Sequence, residues 1–263
     1  MMIPLTKYGW PQVVAFPAGI LALMAFLLVV GVAFLPTWAV GLAEAVLAVF
    51  LIAVLAFFRD PQRSVPDDRD ILLAPADGRI TDIEAIEEPA FIGGKTLRIG
   101  IFMSIFNAHV NRAPCRVKVE KVSHRPGKHK NAMNPQSGLV NESNELYLVK
   151  TDNPADRLIV RQISGAVARR IVCRAQPGQQ LAAGERFGMI KFGSRTELCV
   201  PLLRGNDNGW QAKCLMQIGD KVKAGLTPLV KYEVEPRPAG NVRSPKSASL
   251  VGGPLSPNGH DYN

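Results

Sequence analysis

Two long apolar runs open the chain, and short apolar stretches set between turn residues follow them. Residues 13–35 carry no charge over 23 positions, and residues 38–58 form a second run interrupted only by Glu44. Pro36 and Thr37 separate the two. At about 1.5 Å per residue, a helix from either run spans most or all of the ~30 Å apolar core of a bilayer. The two-residue break predicts a helical hairpin. A cleaved signal peptide fits poorly, because the first run is too long and no small-residue cleavage site follows it. A hairpin that enters the bilayer without crossing it stays open as an alternative. Lys7 precedes the first run, Arg59, Arg63 and Arg69 follow the second, and the turn carries neither Lys nor Arg. Both ends are therefore expected in the cytoplasm, with the hairpin in the cell (inner) membrane. Tyr8, Trp10 and Trp38 suit the interfaces. Glu44 falls near the shallow outer end, where its carboxyl reaches the interface or stays protonated.

After Arg59-Asp60-Pro61 the pattern changes. Strands are predicted over 71–74, 79–86, 96–102, 117–123, 145–150, 158–164, 168–174, 187–192 and 197–201. They are short, rich in β-branched residues and punctuated by Gly, Pro and Asp, as in a β-barrel or sandwich. A helical turn is expected at 106–111 and another at 130–134. Ala74-Pro75-Ala76-Asp77-Gly78-Arg79-Ile80 and Gly219-Asp220-Lys221-Val222-Lys223-Ala224-Gly225 each place a Gly turn beside β-branched residues, as barrel-sandwich modules do. From Pro236 a Pro/Gly/Ser-rich segment lacks the apolar content for a core. The expected organisation is a membrane hairpin (1–58), a mainly β, barrel-sandwich-like domain (59–235) and a flexible tail (236–263).

The formal net charge is +9. Beside a membrane hairpin, its counterpart is an anionic leaflet rather than nucleic acid, and the aromatic interleaving of RNA-binding modules is absent. The densest basic stretch is His124-Arg125-Pro126-Gly127-Lys128-His129-Lys130, joined later by Arg169 and Arg170. Near an anionic lipid surface each cation contributes about 1 kcal/mol; the same stretch also reads as an ordinary solvated loop. Cys115, Cys173, Cys199 and Cys214 show no C-x-x-C spacing, so free thiols in a reducing compartment are expected, and no metal. Asn141-Glu142-Ser143-Asn144-Glu145 reads equally as a frame for a zwitterionic head group or as a surface turn.

Five phrases in one order carry a resemblance. They are Phe57-Phe58-Arg59-Asp60-Pro61; Ala74-Pro75-Ala76-Asp77-Gly78; Phe106-Asn107-Ala108-His109-Val110-Asn111-Arg112-Ala113-Pro114; Gln162-Ile163-Ser164-Gly165 with Ala168-Arg169-Arg170-Ile171-Val172-Cys173; and Gly184-Glu185-Arg186-Phe187-Gly188-Met189-Ile190-Lys191-Phe192-Gly193-Ser194. Over roughly residues 57 to 232, and in its hairpin, the chain resembles the short (type A) phosphatidylserine decarboxylases of bacteria and archaea. The resemblance implies a proenzyme cut between Gly193 and Ser194 into a large chain (1–193) and its partner, a small chain (194–263). Ser194 becomes a covalent pyruvoyl group. Phosphatidylserine is converted through a Schiff base on that group to phosphatidylethanolamine and carbon dioxide.

The chemistry suits the residue types. Gly193 offers an unhindered carbonyl and unusual backbone angles. Attack by the Ser194 hydroxyl converts the amide to an ester, with the high effective molarity of two groups on one chain. Elimination frees the carboxylate of residue 193, and loss of ammonia leaves a ketone, an electron sink of the pyridoxal type. The resemblance gives proton work to His109, which from the residues alone lies in a polar loop with an accessible imidazole. Longer bacterial members carry a second histidine, linked with self-cleavage, where this chain has Arg112, so the base for Ser194 is left open. Arg112 is expected to hold substrate charge, with Arg169, Arg170 and Lys128. Asp77 matches the acidic position of the family and is expected to orient a histidine; its plain reading is a turn residue before Gly78. A homo-oligomer is compatible with the sequence. The rival readings are an archaetidylserine-type decarboxylase, a membrane-anchored lipid-binding module without chemistry, and a biotinyl or lipoyl carrier, to which Met189-Ile190-Lys191 is a poor match.

Overall fold

The computed structural model describes residues 4–134, 136–166, 170–191, 193–204 and 210–234. Two helices come first: α1 (Gln12–Phe34, with a π-helical stretch at Leu27–Gly31) and α2 (Thr37–Phe57). Pro36 ends the first and caps the second. Their surfaces are apolar all round, with Val29, Phe34, Trp38 and Val49 exposed, the pattern of helices solvated by lipid rather than by a protein core.

The hairpin is tied to the rest of the molecule at its base. Tyr8, Phe57 and Phe58 pack with Val110 and Met189. The Tyr8 hydroxyl donates to the Arg186 carbonyl at 2.8 Å, and the backbone at Thr6 and Asp60 pairs with Phe58 and Pro4. Asp60 accepts ion pairs from both Arg112 and Arg186. The Phe-Phe-Arg-Asp-Pro phrase is thus the joint between the hairpin and the β domain.

Fifteen strands follow among the described residues: β1 (Ile71–Leu73), β2 (Gly78–Glu88), β3 (Gly94–Met103), β4 (Val110–Arg112), β5 (Val117–Arg125), β6 (Ser143–Lys150), β7 (Arg157–Ile163), β8 (Arg170–Cys173), β9 (Gln180–Leu181), β10 (Arg186–Lys191), β11 (Ser194–Pro201), β12 (Leu203–Arg204), β13 (Trp210–Cys214), β14 (Lys221–Val222) and β15 (Pro228–Val234). A curled eight-stranded sheet runs β14-β2-β3-β11-β7-β6-β5-β9, beside sheets β1-β15-β13-β12 and β4-β10-β8. The fold is mainly β, as expected. The two Gly-turn phrases meet each other, with Lys221 opposite Arg79 and Val222 opposite Gly78.

Two local expectations are corrected. Residues 106–111 hold no helical turn; the chain bends and enters β4 at Val110, where pairing with Met189 overrides local preference. The turn at 130–134 is not helical either, and the short helix of this region is α3 (Ser137–Val140). The strand expected at 168–174 is described from Arg170, and the tail 236–263 lies outside the described residues.

β11 is central, flanked by β3 and β7. Strand alternation gives it two different faces. Leu198 and Val200 join Ile99, Ile101, Val160 and Leu158 in the apolar core. Arg195 and Glu197 face the other way into a buried ionic network. Arg195 binds Asp82, Thr81 and Glu197, while Arg161 bridges Glu197 at 2.8 Å and Glu145 at 2.6 Å. Gly138 of α3 lies over this network, where an added Cβ would stand 2.7 Å from Glu197 Oε1.

Candidate active site

The Gly193–Ser194 bond lies where the chain turns from β10 into β11. Gly193 has φ +47°, in the left-handed region that favours glycine. Ser194 is fully buried as the first residue of β11, and its hydroxyl is 3.4 Å from Met103 Sδ on the neighbouring strand. On the opposite side Gly165 closes against the same bond: a Cβ there would lie 2.0 Å from the Gly193 carbonyl oxygen. The sequence reading quoted Gly165 but gave it no role, since only the β7–β11 register brings it to the bond.

His109 differs from its expectation. Its imidazole is fully buried, not accessible, because Phe57 from the foot of α2 stacks on it at a centroid distance of 4.3 Å. Burial is the largest influence on its pKa and pushes it down to about 4, so the ring is neutral at pH 7. Nδ1 lies 2.9 Å from the Asn107 carbonyl, which only accepts, so Nδ1 carries the proton. Nε2 is then a lone-pair acceptor, with no hydrogen-bond partner among the described residues. A buried imidazole nitrogen without a partner is an open acceptor, of the kind found at functional sites.

Asp77 is paired with Arg63 through two bonds, at 2.6 and 2.7 Å, and accepts the Ala224 N–H at 2.8 Å. It acts on His109 through space rather than by contact. It lines a cavity of about 570 Å³ with Arg59, Asn107, Met133, Lys221 and Lys223. Ser104, also in its wall, follows the residue that touches the Ser194 hydroxyl. An apolar groove of about 290 Å³ lies next door, between α2 (Phe50, Val54, Phe57) and the exposed Ile105-Phe106 pair. Arg59 and Phe106 border both spaces.

The remaining expected residues are scattered. Arg112 is buried and turned to protein acceptors: Asp60 at 2.9 Å, the Pro61 carbonyl at 2.8 Å and the Gly184 carbonyl at 3.2 Å. Arg170 starts β8 opposite Lys191, and Lys128 is exposed on the basic loop. Arg169 lies outside the described residues. Arg59, Arg79, Lys221 and Lys223, the cations that do border the cavity, were given no site role from the sequence; Arg59 stood inside a quoted motif and the other three inside the two Gly-turn phrases.

A serine at a buried strand start, a left-handed glycine before it, and a neutral buried histidine near a basic cavity agree with comparisons to known proteins. The family model described as phosphatidylserine decarboxylase matches residues 50–229. The chain belongs to the phosphatidylserine decarboxylase family. A phosphatidylserine decarboxylase proenzyme of Nitrosomonas europaea is 39% identical over 228 residues, covering 87% of this chain and 95% of that protein. The protein of the same name from Chlorobium chlorochromatii is 39% identical over 232 residues, covering 87% of this chain and all of its own length. That from Desulfotalea psychrophila is 42% identical over 182 residues, 68% of this chain and 80% of the relative. The chain is a decarboxylase by family membership, and the rival reading as a passive module or carrier falls away.

Proposed function

We propose that this chain is a self-processing proenzyme that decarboxylates phosphatidylserine to phosphatidylethanolamine, with Ser194 as the source of a pyruvoyl group. The observation that carries the reading is the Gly193–Ser194 bond itself. Its glycine is left-handed, its serine is dry and fixed at a strand start, and its carbonyl is tightly enclosed by Gly165. A ketone at residue 194 fits this site, which is buried and closed to bulk water. A pyruvoyl group at residue 194 would supply a carbonyl for the substrate amine and an electron sink for decarboxylation.

His109 handles protons in this scheme. A serine head group arrives as an ammonium and must lose a proton to react. His109 offers its open Nε2 to that proton while Asn107 holds the other nitrogen and fixes the ring, the Asp77 charge offsetting part of the cost that burial puts on the imidazolium. The same Nε2–H then returns the proton to the carbon from which carbon dioxide has left. Arg63 holds Asp77 in place through two hydrogen bonds, and Asp77 favours the imidazolium that forms in between. Arg59, Lys221 and Lys223 offer charge to the lipid phosphate at the cavity wall, and the adjoining groove offers an apolar path for an acyl chain. The hairpin sits in the cell membrane with the β domain on the cytoplasmic side. After cleavage β11 still lies between two strands of the large chain, so the fragments stay together.

The test is conversion of phosphatidylserine in liposomes, read as phosphatidylethanolamine by mass spectrometry. Wild-type protein is expected to convert it and Ser194→Ala to do nothing. Conversion by Ser194→Ala at the wild-type rate would overturn the reading.

A further inference from the structure

The base for Ser194 in self-cleavage has no obvious holder, since Arg112 is bound to Asp60 and His109 is fixed beside Phe57. The β7–β11 ladder points elsewhere. Its register pairs Thr196 with Gln162 and Arg195 with Ile163. Continued by one residue it sets Ser194 opposite Ser164, and by two, Gly193 opposite Gly165. The close approach of Gly165 to the Gly193 carbonyl agrees with that continuation. Directly opposed residues project to the same face of a sheet, with Cβ atoms about 4.5–5.5 Å apart. Both serines are fully buried.

Ser164 is not alone. Its hydroxyl lies 3.1 Å from His129 Nδ1. The other ring nitrogen of His129 faces Glu142 at 3.8 Å, and Glu142 in turn holds His124 at 3.0 Å. The Ser164 backbone is pinned by the Glu142 carbonyl at 2.9 Å and by Asn141 Nδ2 at 2.8 Å. A carboxylate, an imidazole and a hydroxyl therefore follow one another from Glu142 to Ser164, the residue that the continued register sets opposite Ser194. With its proton on Nε2, the side that faces Glu142, His129 has Nδ1 free to accept from Ser164.

We propose that Ser164 and His129 form the proton relay for self-cleavage, Ser164 as the group in contact with Ser194 and His129 as a positioning residue acting through it. The inference rests on the self-processing reading above. Rotation of Ser194 about χ1 swings its hydroxyl from Met103 on β3 to Ser164 on the β7 side. As Ser194 Oγ bonds to the Gly193 carbonyl carbon, its proton passes to Ser164 Oγ, whose own proton moves to His129 Nδ1. The carbonyl π electrons go to the Gly193 oxygen. On collapse the Gly193–Ser194 C–N bond breaks, and the proton returns along the same path to the leaving nitrogen. The products are an ester at Ser194 Oγ and a free amine, with no external reactant.

The experiment follows precursor and fragments over time after a pulse of cell-free synthesis with lipid vesicles, for the full chain and its variants. Ser164→Ala and His129→Ala are expected to process about 100-fold more slowly, and Ser164→Thr close to wild type. Added imidazole is expected to restore cleavage to His129→Ala, since residue 129 is partly exposed, and not to Ser164→Ala. A merely structural histidine would not respond to imidazole. Should Ser164→Ala fail to fold, shown by loss of the far-ultraviolet circular dichroism of the Ser194→Ala precursor, the threonine variant and the imidazole response decide. Wild-type rates in both alanine variants, or a slow His129→Ala that imidazole does not speed, overturn the relay while leaving self-cleavage intact. A wild-type chain that never cuts overturns the underlying reading instead.

Discussion

At the scale of single residues, the site depends on two groups that a simple substitution exposes. Gly165 has no room for a side chain, because an added Cβ would overlap the carbonyl oxygen of Gly193. Gly165→Ala is expected to displace the bond from Ser194 and slow processing at least about tenfold, as small misplacements of reacting groups do; denaturing gels of freshly made protein check it. His109 carries a pH signature. Its folded pKa, near 4, lies below the ordinary 6.5. The unfolded chain therefore takes up a proton first as pH falls. Stability is complete above about pH 6.5 and declines toward pH 4, by up to about 3 kcal/mol. In the uncut Ser194→Ala background, urea midpoints of the His109→Gln variant are expected to fall less over this range than those of the parent. Equal slopes would contradict the buried neutral ring.

At the scale of elements, β11 is the strand around which the large sheet is built. It begins at Ser194, and its next charged residues, Arg195 and Glu197, are locked by Asp82 of β2 and by Arg161 of β7, which Glu145 of β6 holds in turn. Arg195→Met would leave Asp82 buried without its cation and Glu197 with Arg161 alone. A loss of about 3–5 kcal/mol is expected for breaking one side of such a cluster, measured as a shift in urea midpoint with Ser194→Ala as the reference. A neutral result would mean the network contributes nothing to holding β11. These partners also mark the limit of sequence reading. The hairpin was legible because its signal is local composition, and strands such as β2, β3 and β7 because β-branched runs announce them. β9, β12 and β14 are two residues each and exist only through their neighbours. Gly193–Ser194 and His109 were legible as motif, but the burial of His109 was not, because the covering ring comes from the hairpin. The pairing of Asp77 with Arg63, and of Gly165 with Gly193, likewise follows from topology and from no local pattern.

At the scale of the whole molecule, an apolar helical hairpin is clasped to a β domain whose basic cavity and apolar groove meet at Arg59. The apolar surface of the hairpin predicts that the protein stays with membranes through a high-salt wash and leaves only with detergent, since burial in hydrocarbon is not screened by ions. Release by salt alone would make the contact electrostatic. The most direct measurement is the mass of mature protein under denaturing conditions. Two fragments are expected, broken between residues 193 and 194, the smaller about 17 Da lighter than a chain beginning with unmodified serine, as loss of ammonia requires. One intact chain carrying an ordinary Ser194 would contradict self-cleavage at this bond.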